Sequence, residues 1–516
     1  MIRKDISYRV EPAKDGNPTL IVNKEGKDIP LHSRMNPLKE GDVSNYNLNP
    51  EKFDLLIIIG CGLGYSLIKF REEIRRYSQI IIIDFLHNIE NEIINNPHTS
   101  FLVKEENIRF ITGFDISEDN NDINGMLSQI IDIDEYKGIQ VIDHYQSLRF
   151  MPDYYDNIKA IIKSIIDKKA GNQATIRAFG NIFIRNAINN ISNLGNCRYI
   201  SNFIGRFKKR KAVIVSSAPS LEDHIEQLKF YQNRLYIIAV DSTLSVLRSF
   251  DIKPDFIISI DPQGIIGEHF LGHELLDSIH IFSMVSPPEL VKRYDGFISL
   301  NSHPVSQLIA EMFQLTNSSI DSATGSVAGD AFMFALLCGF EPVAMIGFDF
   351  SFSNNIIYAK NTAYQNRYAR YFNSRLKTAE TFNASYIFKS SRSLIVEGRY
   401  TRRAFVNYRD SLNNLIKEKN FKNIYTLNKK GLKMTNIRDI DFDTFMKLPS
   451  LDNENKSEYI HKINVEKSPG TFNIKPVKDK LSDERIFNEI IEASLGTNVS
   501  DNIKKKCISL IEKIEH

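Results

Sequence analysis

Lys211-Ala212-Val213-Ile214-Val215-Ser216-Ser217-Ala218-Pro219-Ser220-Leu221 is the stretch on which the reading of the fold turns. The apolar, mostly β-branched run from Ala212 to Ser216 reads as a strand. It breaks at small hydroxyl residues and a proline, and a helix opens near Glu222. In such a strand–loop–helix unit the small side chains permit close backbone approach. The hydroxyls of Ser216, Ser217 and Ser220, with the free N–H groups of the helix start, suit a phosphate. Ser220 serves equally well as a plain helix cap.

Working outward, apolar runs at Leu235–Val240, Phe256–Ile260, His280–Met284, Phe297–Leu300 and Val343–Gly347 repeat the strand, with helical stretches between most of them. Residues 211–440 therefore read as one parallel α/β domain. Residues 1–150 read as another, with strands at Asp54–Ile59, Gln79–Ile83, Asn107–Ile111 and Ile139–Ile142. Its first strand enters Gly60-Cys61-Gly62-Leu63-Gly64-Tyr65, and Asp84 closes the next. That is the layout of a Rossmann-like nucleotide or S-adenosylmethionine site, glycines for the ligand's approach and the acid for its ribose. Residues 151–210 carry apolar residues at helical spacing, Ile158, Ile161, Ile162 and Ile165, then Phe179, Ile182, Phe183 and Ile191, which predicts two helices broken at Ala170-Gly171-Asn172. A basic run, Arg206 to Lys211, reads as a solvated linker. In 441–516 a loose polar connector over 446–480 is followed by a short helical tail. The expected fold class is α/β: two Rossmann-like parallel-sheet domains joined by helices, plus a small helical C-terminal region.

Composition narrows the function. The 516 residues carry 65 Lys+Arg against 63 Asp+Glu, a formal net charge of +2, which argues against a protein holding nucleic acid or anionic membrane by bulk charge. Cys61, Cys197, Cys338 and Cys507 lie far apart, without the spacing of a zinc knuckle or redox pair, as suits a reducing cytoplasm. The N-terminus lacks a secretory apolar segment. The most membrane-like run, Ala331–Phe350, contains Glu341, Pro342 and Asp349 and reads as a buried helix followed by a buried strand. The expectations are a cytoplasmic location, no nucleic-acid partner and no membrane insertion.

Three strands of the central domain end in an acid: Val240-Asp241-Ser242, Ile260-Asp261-Pro262-Gln263 and Gly347-Phe348-Asp349-Phe350. In a parallel sheet all three fall on the ligand-binding edge. Ser322-Ala323-Thr324-Gly325-Ser326 precedes a helix at Val327 and forms a second hydroxyl-rich helix start, suited to a phosphate or carboxylate.

These residues carry a resemblance. Ala218-Pro219-Ser220-Leu221, Asp241, Asp261-Pro262, Ala323-Thr324-Gly325 and Gly347-Phe348-Asp349-Phe350 resemble the nucleotide-sugar site of the family 42 sialyltransferases. The longer pattern resembles the motility-associated factor (Maf) flagellin glycosyltransferases, through Asn172, Thr175, Phe179, Gly180, Phe183, Arg185 and Asn186 before that domain. Thr401, Phe405, Tyr408 and Asn428–Ile437 extend it at the domain's end, and the Gly60–Tyr65 loop near the N-terminus. The resemblance implies transfer of a sialic-acid-like nonulosonic acid, pseudaminic or legionaminic, from a CMP-activated donor to Ser or Thr of flagellin, in support of flagellum assembly and motility. By position, Ser216, Ser217, Pro219 and Ser220 would line the phosphate loop. Asp241 with Ser242, and Asp261, would face ribose, base or sugar. Thr324, Gly325 and Ser326 would hold a phosphate or carboxylate, Asp349 would close the sheet edge, and Tyr358, or else Tyr364, would donate to the leaving phosphate.

One departure stands out: those sialyltransferases use a histidine base downstream of the strand bearing Asp349, and no histidine occurs here between His303 and His461. His303 is either that base or a capping histidine; otherwise Asp261 or Asp349 takes the proton. No metal and no cofactor beyond the donor are expected. The Asp-x-Asp pairs, Asp132-Ile133-Asp134 and Asp439-Ile440-Asp441, fall outside the site, and the His269/His273 pair reads as structural. The alternatives are a 6-hydroxymethylpterin pyrophosphokinase, an S-adenosylmethionine-dependent methyltransferase at the Gly60 loop, and a non-catalytic flagellin-binding protein. From Lys360 to Arg409, Lys and Arg recur against only Glu380 and Glu397, a local cationic segment suited to a donor bearing phosphate and carboxylate.

Overall fold

The computed structural model describes residues 6–113, 121–131, 136–194, 198–272, 278–294, 296–315, 319–320, 324–389, 392–427, 430–451, 455–465, 473–495 and 499–514. The chain divides into two compact units, Met1–Thr175 and Ile176–His516. The division falls inside one helix, Pro152–Ile191, which replaces the two helices expected around Gly171. A single glycine costs a helix only about 1 kcal/mol, which neighbouring turns can offset.

The first unit opens with an antiparallel meander that the sequence reading overlooked: β1 (Ile6–Pro12), β2 (Pro18–Lys24) and β3 (Lys27–Pro30). Its second turn is two residues long, Glu25-Gly26, with φ of 54° and 78°, the double left-handed geometry of a tight hairpin. The expected parallel sheet follows: β4 (Leu55–Ile59), β5 (Gln79–Asp84), β6 (Ile108–Thr112) and β7 (Ile139–Asp143), in the order β6-β5-β4-β7. Every residue of β4 is buried, because helices and loops cover both faces.

The second unit is built on a nine-stranded parallel sheet. Its strands are β8 (Arg198–Tyr199), β9 (Ala212–Val215), β10 (Tyr236–Val240), β11 (Phe256–Ser259), β12 (Ile279–Ser283), β13 (Phe297–Ser299) and β14 (Val343–Ile346). Two short hairpins follow, β15 (Asn373–Ser374) with β16 (Lys377–Thr378) and β17 (Ser393–Val396) with β18 (Arg399–Arg402), and then β19 (Ile424–Thr426) and β20 (Arg438–Asp439). The order is β20-β19-β14-β9-β10-β11-β12-β13-β8. Alternate side chains of β9 and β10 feed different cores. Ala212, Ile214, Tyr236 and Ile238 pack beneath the helix Val327–Cys338, and Val213, Val215, Ile237 and Ala239 pack on the opposite face. The sequence therefore shows unbroken apolar runs where a one-sided sheet would alternate.

The expected loose connector is partly helical. Helix Lys456–Val465 buries Ile460 and Ile463, and Lys456 Nζ pairs with the buried Asp255 carboxylate at 2.9 Å. Helices Lys475–Leu481, Glu484–Leu495 and Asp501–Glu512 form the small C-terminal region and share a core with Ile184, Ile188 and Ile191. Gly180 lets its helix approach the carbonyl of Ser494, which a Cβ would meet at 2.6 Å. No helix of the described residues is long and apolar enough to cross a membrane. Ala331–Phe350 contains the end of a buried helix and β14, as expected.

Candidate functional site

The order of the large sheet reverses beside β9: the chain runs outward through β10, β11, β12 and β13, then returns to the other side as β14. Ligands of open α/β sheets bind at such a switch point, beyond the carboxyl ends of the strands. Here that position holds the Ser216–Ser220 loop and Gly347-Phe348-Asp349. Gly347 has φ of +74°, and a Cβ on it would lie 2.0 Å from the carbonyl oxygen of Ser216. Asp349 is 0% exposed. Its Oδ2 accepts from the Ser220 N–H at 3.1 Å, and its Oδ1 accepts from the Ser220 hydroxyl. Ser217 is tied to the same edge, its carbonyl accepting from Ala359 N–H at 2.9 Å.

The other two acids stand at the ends of β10 and β11. Asp241, 4% exposed, accepts from Ser259 Oγ at 2.5 Å and from His269 Nδ1 at 3.1 Å. Asp261 accepts from the Gln263 N–H at 2.9 Å. Burial raises the Asp261 carboxyl above its usual range; the Gln263 N–H opposes that rise, and the charge of Asp241 adds to it. The backbone behind these acids is pinned by Asn186, whose Nδ2 donates to the carbonyls of Pro262 at 2.8 Å and Val285 at 2.9 Å.

Aromatic residues gather over the acids. Tyr364 stacks on Tyr358 at 4.3 Å and meets the His269 ring edge-on at 4.9 Å. Burial, first of all, raises both phenols, so each stays protonated and able to donate; neighbouring tyrosines add to this for Tyr358, and Asp241 and Asp261 for Tyr364. Burial raises the Tyr408 phenol and the charge of Asp261 adds to it, and its ring lies 3.4 Å from where a Cβ on Gly325 would be. Thr324 and Ser326 hydroxyls lie 3.2 Å apart, and Ser326 caps the following helix by accepting from Gly329 N–H at 3.1 Å. Ser242 is buried in the turn after β10.

Within the expected cationic segment, Arg367 alone combines a place beside the acids with an unused donor among the described residues: its Nε pairs with Glu268 at 2.8 Å, its guanidinium lies 5.6 Å from the Tyr364 ring, and its buried Nη2 has no hydrogen-bond partner. Arg409 pairs with Glu397 and Asp410 instead. Arg370, Arg375, Lys377 and Arg403 are exposed. His303 caps helix Pro304–Met312, its Nδ1 accepting from the Val305 N–H at 3.3 Å. His269, read from sequence as structural together with His273, joins the site because β10 and the turn Gly264–Phe270 bring it to Asp241. His273, Ser322, Ala323, Asn428 and Asp132-Ile133-Asp134 lie outside the described residues, as do the side chains of Asn172 and Thr175.

The glycine loop of the first unit is occupied by the chain itself. Cys61 and Gly62 N–H groups donate to Asp84 Oδ2 at 2.8 and 3.1 Å, and Leu63 N–H donates to His32 Nε2 at 2.8 Å. A Cβ on Gly60 would lie 2.4 Å from Ser147, and one on Gly62 would lie 2.4 Å from His32. The glycines thus make room for side chains of the same unit, and Asp84, expected to hold a ribose, holds the loop. Calorimetric titration of the full chain with S-adenosylmethionine is expected to show no micromolar binding; such binding would contradict this geometry. Among the described residues, His32, Glu40 and His144 are grouped closely enough for a metal, with ligand atoms within 4.8 Å of one another. Both His32 nitrogens are already engaged, by Glu40 at 2.6 Å and by Leu63, which leaves that imidazole without a free lone pair.

Fold and site together define a Rossmann-like α/β protein whose candidate site lies at the switch point of the large sheet. The comparisons bear on the fold. A solved Maf glycosyltransferase from Magnetospirillum magneticum AMB-1 shares the fold, with a TM-score of 0.62 and 13% identity over 98% of this chain and 86% of that one. Residues 185–355 match a family model described as 6-hydroxymethylpterin diphosphokinase MptE-like. An uncharacterized protein of Treponema pallidum (strain Nichols) is 34% identical over 91 residues, 17% of this chain and 40% of that protein, so the match spans well under two thirds of that relative. The likeness to Maf glycosyltransferases that the motifs suggested is thus found in the fold of nearly the whole chain.

Proposed function

We propose that the protein is a glycosyltransferase that moves a nonulosonic acid, pseudaminic or legionaminic, from a CMP-activated donor to Ser or Thr of flagellin in the cytoplasm, in support of flagellum assembly and motility. The observation that carries this reading is the meeting of Asp241, Asp261, Tyr358 and Tyr364 beside the switch point, in a chain with the fold of a Maf glycosyltransferase. A CMP donor departs with a single phosphate. Protonated Tyr358 and Tyr364 and the unused Nη2 of Arg367 are the groups to stabilise that charge, without a metal. The Ser216–Ser220 loop and the Thr324–Ser326 turn offer small residues and hydroxyls to the nucleotide and the sugar carboxylate. Asp349 has both oxygens on Ser220, so in this proposal it positions the loop and takes no part in bond making.

The name of the matched family raises a diphosphokinase as the second reading. That chemistry needs carboxylates free to hold a divalent ion on a polyphosphate. Asp349 and Asp241 both accept hydrogen bonds from the protein on each of their oxygens, which favours sugar transfer. Intact-mass analysis of flagellin from a strain lacking this gene tests the proposal: flagellin lighter by whole nonulosonic residues is expected, and an unchanged mass would overturn it.

A further inference from the structure

We propose that Asp241 and His269 form the proton-accepting pair of this site, with His269 Nε2 as the base that activates the acceptor hydroxyl. The inference rests on the transferase reading and supplies the base that the sequence lacked. Asp241 is a buried acceptor for two donors, Ser259 Oγ at 2.5 Å and His269 Nδ1 at 3.1 Å. A carboxylate held this way fixes the imidazole with its proton on Nδ1 and its lone pair on Nε2. That Nε2 is buried, in a residue 3% exposed, and has no hydrogen-bond partner among the described residues. An unpaired polar atom costs free energy in a packed interior and calls for an explanation, a bound substrate being one. It lies in the right company: the His269 ring meets Tyr364 at 4.9 Å, Tyr364 stacks on Tyr358, and Glu268 holds Arg367.

Other histidines of this unit have other work. His224 Nε2 bonds the Leu427 carbonyl and His280 stacks on Tyr294 at 4.5 Å. His303 Nε2 is also buried without a partner among the described residues, but its Nδ1 accepts from the Val305 N–H, so the neutral ring carries its proton on Nε2 and has no lone pair there. In the proposed step, the acceptor hydroxyl gives its proton to His269 Nε2 as its oxygen bonds to the anomeric carbon. The bond from that carbon to the phosphate oxygen breaks, and its electron pair leaves with CMP. Asp241 stabilises the imidazolium, and a tyrosine hydroxyl donates to the departing phosphate.

The test compares the full-length wild type with His269→Ala and His269→Asn, the latter keeping an N–H for Asp241. CMP affinity is read by calorimetry and transfer to flagellin from CMP-pseudaminic and CMP-legionaminic acid by mass, with and without added imidazole. Expected are CMP affinities within about threefold of the wild type, transfer slowed by roughly 10²–10⁴-fold, the usual span for a general base, and partial rescue of His269→Ala by imidazole. Transfer within tenfold of the wild type in His269→Asn would overturn the proposal. Loss of CMP binding together with transfer, without imidazole rescue, would also overturn it by making the pair structural. A wild type that neither binds CMP nor transfers would defeat the parent reading itself.

Discussion

Gly347→Ala is expected to destabilise the second unit by roughly 2–5 kcal/mol and to abolish donor binding. Two costs add. The residue sits at φ +74°, where a side chain costs about 1–2 kcal/mol, and the new Cβ would lie 2.0 Å from the Ser216 carbonyl oxygen. That neighbour is backbone, so relief requires moving the end of β14 away from the Ser216–Ser220 loop. Overpacking of this kind costs about 1–3 kcal/mol more. The same movement would separate Asp349 from Ser220 and leave a buried carboxylate short of its donors. Gly205, at φ +70° with nothing within 4 Å of a Cβ, isolates the first cost: Gly205→Ala is expected to lose only about 1–2 kcal/mol. Chemical denaturation of both variants, with CMP titration, checks the contrast; equal stabilities would contradict it.

Tyr358→Phe is expected to lower kcat by roughly 10²–10³-fold while leaving the donor KM within a few-fold, the loss seen when one donor to a developing oxyanion is removed. Burial keeps the Tyr358 phenol protonated, so it is present as a donor at any working pH. Phenylalanine retains the ring that stacks on Tyr364 at 4.3 Å, so the fold is expected to survive. Initial rates of CMP release over a range of donor concentrations separate the two parameters. An unchanged kcat would remove Tyr358 from the chemistry, and a loss confined to KM would make it a binding residue.

Strands β9 to β14 were legible because parallel strands covered on both faces need unbroken apolar sequence, and the acids at their ends follow from topology alone. The first meander was missed although its signals exist: Ile6, Tyr8 and Val10 alternate with polar residues, and Glu25-Gly26 is a hairpin turn. Its β3 is wholly exposed and shows no apolar run. Helix Lys456–Val465 hid in a polar stretch because two isoleucines and one buried ion pair fix it. Two glycine loops looked alike in sequence. Which one is filled by its own chain depends on side chains far away, His32 and Ser147, that no local pattern reveals. His269 was undervalued for the same reason, since its partner Asp241 lies 28 residues away in the chain.

The account rests on the switch-point edge of the second unit being a site of sugar transfer from a CMP donor. The direct measurement incubates the purified full chain with flagellin and CMP-pseudaminic or CMP-legionaminic acid and follows both CMP release and the intact mass of flagellin. The expected result is a flagellin mass rising in steps of one nonulosonic residue, with one CMP released per step. A folded protein that produces neither change with either donor would contradict the account.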